Sequence, residues 1–115
     1  MEPNKKAGDA RLQPAQVAKI AGLVDYQSGS IVSREILKGA TGRVTLFAFD
    51  EGEGLSEHTS PHDALVQVLE GAVEITVFAQ PHHLKEGDLI LLPANQPHAL
   101  KALKRFKMVL TLIHP

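Results

Sequence analysis

The chain of 115 residues contains no cysteine. This excludes a disulfide framework and any thiolate metal site, so a metal would have to be held by histidine and carboxylate groups. Tryptophan is also absent, and Tyr26 and four phenylalanines are the only aromatic residues. A cavity built from such material is small and mostly aliphatic. No apolar run approaches the ~18 residues of a membrane span, and the opening MEPNKKAGDARLQP lacks the apolar stretch of a signal peptide. The expectation is a cytoplasmic protein that makes no membrane contact. A strong charge of one sign is missing as well, because the formal net charge is only -1. The single basic cluster, Lys101, Lys104, Arg105 and Lys107, is interleaved with Leu100, Leu103 and Phe106. It reads as the solvated positions of two late strands, and nucleic acid is not an expected partner.

What is present fits one globular domain: 43% of residues are hydrophobic and 22% charged, at a length usual for a single core. Residues 1–27 read as a polar arm followed by a short helix. Val17, Ile20, Ala21 and Val24 fall at i, i+3, i+4 and i+7, with Pro14 suited to a first turn. Residues 28–115 read as one β domain. Short strand-like segments, SIVSREIL, GRVTLFAF, ALVQVLE, AVEITVF, LILLP, HALKAL and RFKMVLTLI, follow one another between turn residues. Such spacing indicates an all-β sandwich or barrel.

Glu70-Gly71 and Glu86-Gly87-Asp88 sit where tight hairpin turns are expected. In AVEITV, the residues Val73, Ile75 and Val77 share one face, as a half-buried strand requires. In LILLP both faces are apolar, which calls for cover on both sides, from the helix or from a second copy. The interior is expected to draw on Val66, Val68, Val73, Ile75, Val77, Leu89, Leu91 and His98.

Six histidines are the main source of chemistry. His58 and His62 stand four apart, but Thr59, Ser60 and Pro61 between them resist the helix that a zinc-protease motif needs, and no Glu follows His58. On an extended segment, His58 and Ser60 point to one side. His98 shares a face with Leu100 and Ala102, opposite Lys101, so it points inward and needs a hydrogen-bond partner or a metal. Gln67 interrupts Leu65, Val66, Val68 and Leu69. Its amide belongs either to a pocket or to a packed surface such as a dimer interface. His82, His83 and His114 read as peripheral.

These positions resemble the cupins, small β-barrel proteins with two histidine-bearing motifs. The first motif runs G-x5-H-x-H-x3,4-E-x6-G; Gly52, His58 and Gly71 match it, with Ser60 at the second His and Ala64 at the Glu. The second runs G-x5-P-x-G-x2-H-x3-N; Gly87, Pro93 and His98 match, with Asn95 at the glycine and Ala102 at the asparagine. The resemblance implies a small double-stranded β-helix, the cupin or jelly-roll barrel, here preceded by the short N-terminal helix. It also implies a metal at the motif residues, one of Zn, Fe, Mn, Ni or Cu. Carried over residue by residue, His58 and His98 keep their ligand character, and His62 is the candidate for a third ligand. Ser60, Val66, Gln67, Val68 and Leu100 are the candidate pocket residues. The expected function is binding of a metal ion or small organic ligand in the barrel. The alternative is a metal-dependent enzyme, a dioxygenase, decarboxylase or isomerase, acting on a small carboxylate or enol. Apolar surface in excess of what one barrel covers, together with the habit of small cupins, points to a C2 homodimer.

Overall fold

Where the alternation of side chains is clearest, the backbone is extended and one face is buried. The computed structural model describes residues 11–114, so most of the expected polar arm, residues 1–10, lies outside the described residues. Nine strands follow in order: β1 (Ile31–Gly39), β2 (Gly42–Phe49), β3 (Gly54–His58), β4 (Asp63–Glu70), β5 (Ala72–Val77), β6 (Gln80–Lys85), β7 (Leu89–Leu92), β8 (His98–Ala102) and β9 (Phe106–Ile113). They form two antiparallel sheets. One has the order β1-β2-β9-β4-β7 and the other β3-β8-β5-β6. This is the expected all-β barrel.

The main core lies between the sheets. Val66 and Val68 of β4 and Phe106 and Met108 of β9 face Val73, Ile75 and Val77 of β5 and Leu100 of β8. Phe49 and Phe106 stack at its centre with ring centroids 4.5 Å apart. Each fully buried side chain of this size stabilises the fold by roughly 1.5–3 kcal/mol relative to exposure.

The expected helix from Pro14 does not form. Ala15 has φ of 63°, which a right-handed helix cannot contain, and only Ile20–Leu23 makes a single 3₁₀ turn. Val17, the first residue of the apolar pattern, is 96% exposed. A stretch this short does not offset the cost of helix nucleation without a packed face. The segment instead lies extended over the outer face of the five-stranded sheet. There Val24, Leu12 and Leu23 join Ile36, Leu46, Ala48 and Val109 in a second, smaller core.

Polar bonds hold this strap in place. Leu12 N–H donates to the Ile36 carbonyl at 3.0 Å, and Arg34 donates to the Leu23 carbonyl at 3.0 Å. Lys107 corrects the expectation of a solvated basic cluster: it is only 8% exposed, and its Nζ donates to the Ala21 carbonyl at 2.6 Å above the Tyr26 ring. The apolar stem of lysine is buried while its ammonium is satisfied by carbonyl and ring. Lys101, Lys104 and Arg105 are exposed.

Two turns differ from expectation. Gly71 links β4 to β5, and Glu86–Asp88 links β6 to β7, but in each case the chain passes from one sheet to the other instead of folding back as a hairpin. Gly71 has φ of 82°, and a side chain there would run into the Arg105 carbonyl and Phe106. The tight hairpins are elsewhere, at β1–β2, where Gly39 pairs with Gly42 around Ala40 and Thr41, and at β5–β6, where Val77 pairs with Gln80 around Phe78 and Ala79. Strand β7 also departs from expectation. Leu89 and Leu91 are 58% and 57% exposed, and it is Ile90 and Leu92 that face the core. A continuous apolar run carries no parity, so the sequence could not say which alternate residues point inward. No helix among the described residues is long and apolar enough to cross a membrane.

Candidate functional site

Strands β3 and β8 pair so that His58, the last residue of one, lies opposite His98, the first of the other. Their imidazoles meet edge to face, with centroids 4.4 Å apart. His98 is 6% exposed, while His58 is open to solvent. Each ring is held by the backbone two residues before it. His58 Nδ1 lies 2.7 Å from the Ser56 carbonyl and His98 Nδ1 lies 3.0 Å from the Gln96 carbonyl. A carbonyl only accepts, so Nδ1 carries a proton in both rings, and in the neutral form of each ring Nε2 keeps its lone pair. Burial lowers the pKa of His98 below the ordinary value of 6.5, and the charge of His58 acts in the same direction. The Gln96 carbonyl opposes the shift without cancelling it.

Both rings line a cavity of about 160 Å³ between the sheets. Ser60 is the other polar group on its wall, and the remainder is apolar, with Leu55, Val66, Leu100, Met108 and Leu110 contributing. Asn95, which stands where the resemblance has glycine, takes a φ of 66°, a conformation asparagine tolerates better than most residues. Its N–H donates to the Ser60 carbonyl at 2.7 Å, tying the loop before β8 to the loop after β3. The turn thus holds Ser60 and His98 on one cavity.

The donor set does not fit the metal shell that the resemblance implies. Ala64 forms part of the wall where the motif has glutamate, and Ser60 stands in place of the second histidine. Two imidazoles remain, whereas firm sites use three or more protein ligands. Among the described residues no three His, Asp or Glu side chains gather to hold an ion.

The other sequence candidates fall as follows. His62 does not join His58 and His98; its ring packs edge to face on His114, with centroids 4.2 Å apart. Asp63 accepts a hydrogen bond from Ala94 N–H at 2.9 Å and is exposed. Gln67 is exposed on the outer face of β4, so it is not a pocket residue; one residue of parity separates it from Val66, which is. Val68 is buried in the core but does not reach the cavity wall. His82 and His83 are exposed. The sequence reading missed Phe47, Leu55, Leu92, Met108, Leu110 and Leu112 as lining residues. The alternation through RFKMVLTLI held the signal for three of them, since Met108, Leu110 and Leu112 share one face. His114 continues that row.

A family model described as a cupin domain matches residues 45–114. Among solved structures, a conserved protein of unknown function from Streptococcus pyogenes is 31% identical with a TM-score of 0.86, covering 97% of this chain and 98% of its own. A cupin superfamily protein from Desulfitobacterium hafniense is 27% identical with a TM-score of 0.85, over 91% of this chain and 96% of its own. A cupin 2 conserved barrel domain protein from Leptotrichia buccalis is 40% identical over 81% of this chain and 45% of its own, with a TM-score of 0.78. No match was found among curated proteins. A family model spanning more than half of the sequence, and a barrel shared end to end with such relatives, establish that the chain belongs to the cupin family.

Proposed function

We propose that the barrel binds a small, mostly apolar organic molecule that carries a hydroxyl-type hydrogen-bond donor at one end, a phenol or an enol. The observation that carries this reading is the pair of imidazoles, each with its Nδ1 bonded to a backbone carbonyl, on the wall of a largely apolar cavity. A neutral imidazole in this tautomer accepts a hydrogen bond from the ligand at Nε2 and has no donor to offer there. The lowered basicity of His98 keeps that character at neutral pH. A carboxylate, which only accepts, finds the Ser60 hydroxyl as its one side-chain donor there and no partner in the neutral rings.

Size narrows the class. A cavity of about 160 Å³ is below the range of drug-sized sites, and one near 150 Å³ holds benzene. The ligand therefore has about six to eight non-hydrogen atoms by that comparison. Such a site serves sensing or sequestration of a small molecule.

The test is a titration of the full chain with phenol, toluene and benzoate, followed by amide chemical shifts of Leu100 and Met108. Phenol is expected to bind more tightly than toluene by about fivefold to tenfold, the worth of one net hydrogen bond of about 1 kcal/mol. His98→Ala should remove that difference. Equal binding of phenol and toluene, or preference for benzoate at neutral pH, would overturn the reading.

A further inference from the structure

Aromatic residues are scarce in this chain, four phenylalanines and one tyrosine without tryptophan, yet three of the phenylalanines form one column. Phe106 stacks on Phe49, and Phe49 meets Phe47 with centroids 6.1 Å apart and planes tilted by 43°. The strand register builds this column. In the β2–β9 ladder Phe49 lies opposite Phe106 and, two residues along, Phe47 lies opposite Met108. Residues two apart on a strand share a face, so both rungs point between the sheets.

The two rungs have different surroundings. Phe49 and Phe106 are fully buried in the main core. Phe47 and Met108 instead line the cavity that His58 and His98 also line. The column therefore stops at the cavity wall, with one ring and one thioether bordering the space. Much of the remaining wall is aliphatic, from residues such as Leu55, Val66 and Leu100, and gives no preference between a flat ring and a saturated one. An aromatic ring gains offset or edge contact with another ring at 4.5–7 Å beyond the worth of its buried area, and a thioether sulfur adds a further attraction at about 5 Å. A saturated ring gains neither.

We propose that the cavity selects an aromatic ring over a saturated ring of the same size, with Phe47 and Met108 as the specificity-determining residues. The ligand adds a fourth ring to the column. This rests on the hydroxyl-donor reading above for the placing of the ligand's polar end, and it narrows that class to the phenol. Room for one ring is what the space offers, since about 160 Å³ is close to the ~150 Å³ that holds benzene.

The experiment titrates the full chain with toluene and with methylcyclohexane, which share one carbon skeleton and carry no hydroxyl. The readout is the methionine methyl resonances, of which there are only two, from Met1 and Met108. Toluene is expected to bind about threefold to tenfold more tightly, although methylcyclohexane is the more hydrophobic of the two. Toluene should also shift the Met108 methyl by its ring current, to an extent that methylcyclohexane does not. Phe47→Leu should bring the ratio of the two affinities close to one and leave phenol's advantage over toluene in place; Met108→Leu should remove part of the ratio. The ratio in the parent chain does not depend on any variant folding. Methylcyclohexane binding as tightly as toluene in the parent, or an unchanged ratio in Phe47→Leu, would overturn the proposal while leaving the hydroxyl preference standing. Toluene preferred over methylcyclohexane but equal to phenol would support the ring preference and overturn the hydroxyl reading instead. Binding of none of the three would overturn both.

Discussion

Restoring the two motif positions that this chain lacks should convert the cavity from an organic pocket into a metal centre. The perturbation is Ser60→His combined with Ala64→Glu, which returns a second imidazole and a carboxylate beside His58 and His98. Ala64 is 3% exposed, so the new carboxylate is buried in an apolar wall with no cation beside it. An uncompensated buried charge costs about 3–5 kcal/mol, a large share of the ~5–15 kcal/mol that holds a domain together. Without metal the double variant should therefore melt far below the parent. Manganese, which favours carboxylate and imidazole over two imidazoles alone, should reverse the loss. At a hundred times its Kd, a ligand adds about 2.7 kcal/mol, and each kcal/mol moves a domain of this size by about 4–8 °C. The assay is a melting curve with and without Mn(II), and the expected gap is about 10–20 °C for the variant and none for the parent. If the parent shifts as much as the variant, the argument that two imidazoles are too few is wrong.

The β5–β6 turn is strained, because Phe78 and Ala79 have φ of 54° and 59° where left-handed backbone favours asparagine and glycine. Phe78→Asn with Ala79→Gly should raise stability by about 1 kcal/mol after the looser unfolded chain is counted, seen as a higher urea midpoint at constant slope. We further propose that two copies pair through the open outer face around Leu89 and Leu91, beside the unpaired edge of β7. Sedimentation should give a dimer mass for the parent and a monomer for Leu89→Glu with Leu91→Glu; a concentration-independent monomer mass for the parent would remove the claim. The depressed pKa of His98 fixes a sign for pH dependence. The unfolded chain takes up its proton first as pH falls below about 6.5, so this contribution is present above that value and is lost as pH falls through the folded pKa. Melting curves from pH 8 to pH 5 should therefore fall less steeply in His98→Gln; the same slope in both would place the acid sensitivity elsewhere.

Period-two patterns made the barrel legible. Alternation in AVEITV and HALKA marks which residues are buried, because one face of each strand meets the core and the other meets water. LILL carries no such contrast, and there the inward residues were misplaced by one. The helix at Pro14 failed for a related reason: a 3.6-residue pattern describes a face, but Val17 has nothing to pack against. In the candidate site, the motif spacing singled out His58, Ser60, Ala64 and His98, all of which lie on one cavity. The partnership of His62 with His114 depends on the register of β4 against β9, a contact between residues 52 apart that no local pattern encodes.

The turn at Gly71 and the turn at Gly87 each send the chain across from one sheet to the other, and the connections before β4, β8 and β9 do the same. From β3 to β9 the two layers are therefore woven from alternating pieces of sequence, and neither can assemble ahead of its counterpart. Long-range pairing of this kind slows folding and makes unfolding all-or-none. Any chain fragment, nascent or proteolysed, that lacks β8 or β9 is missing one wall of the cavity as well as one histidine of a pair. Binding capacity should thus arise late and at once, making ligand capture a report on completed folding.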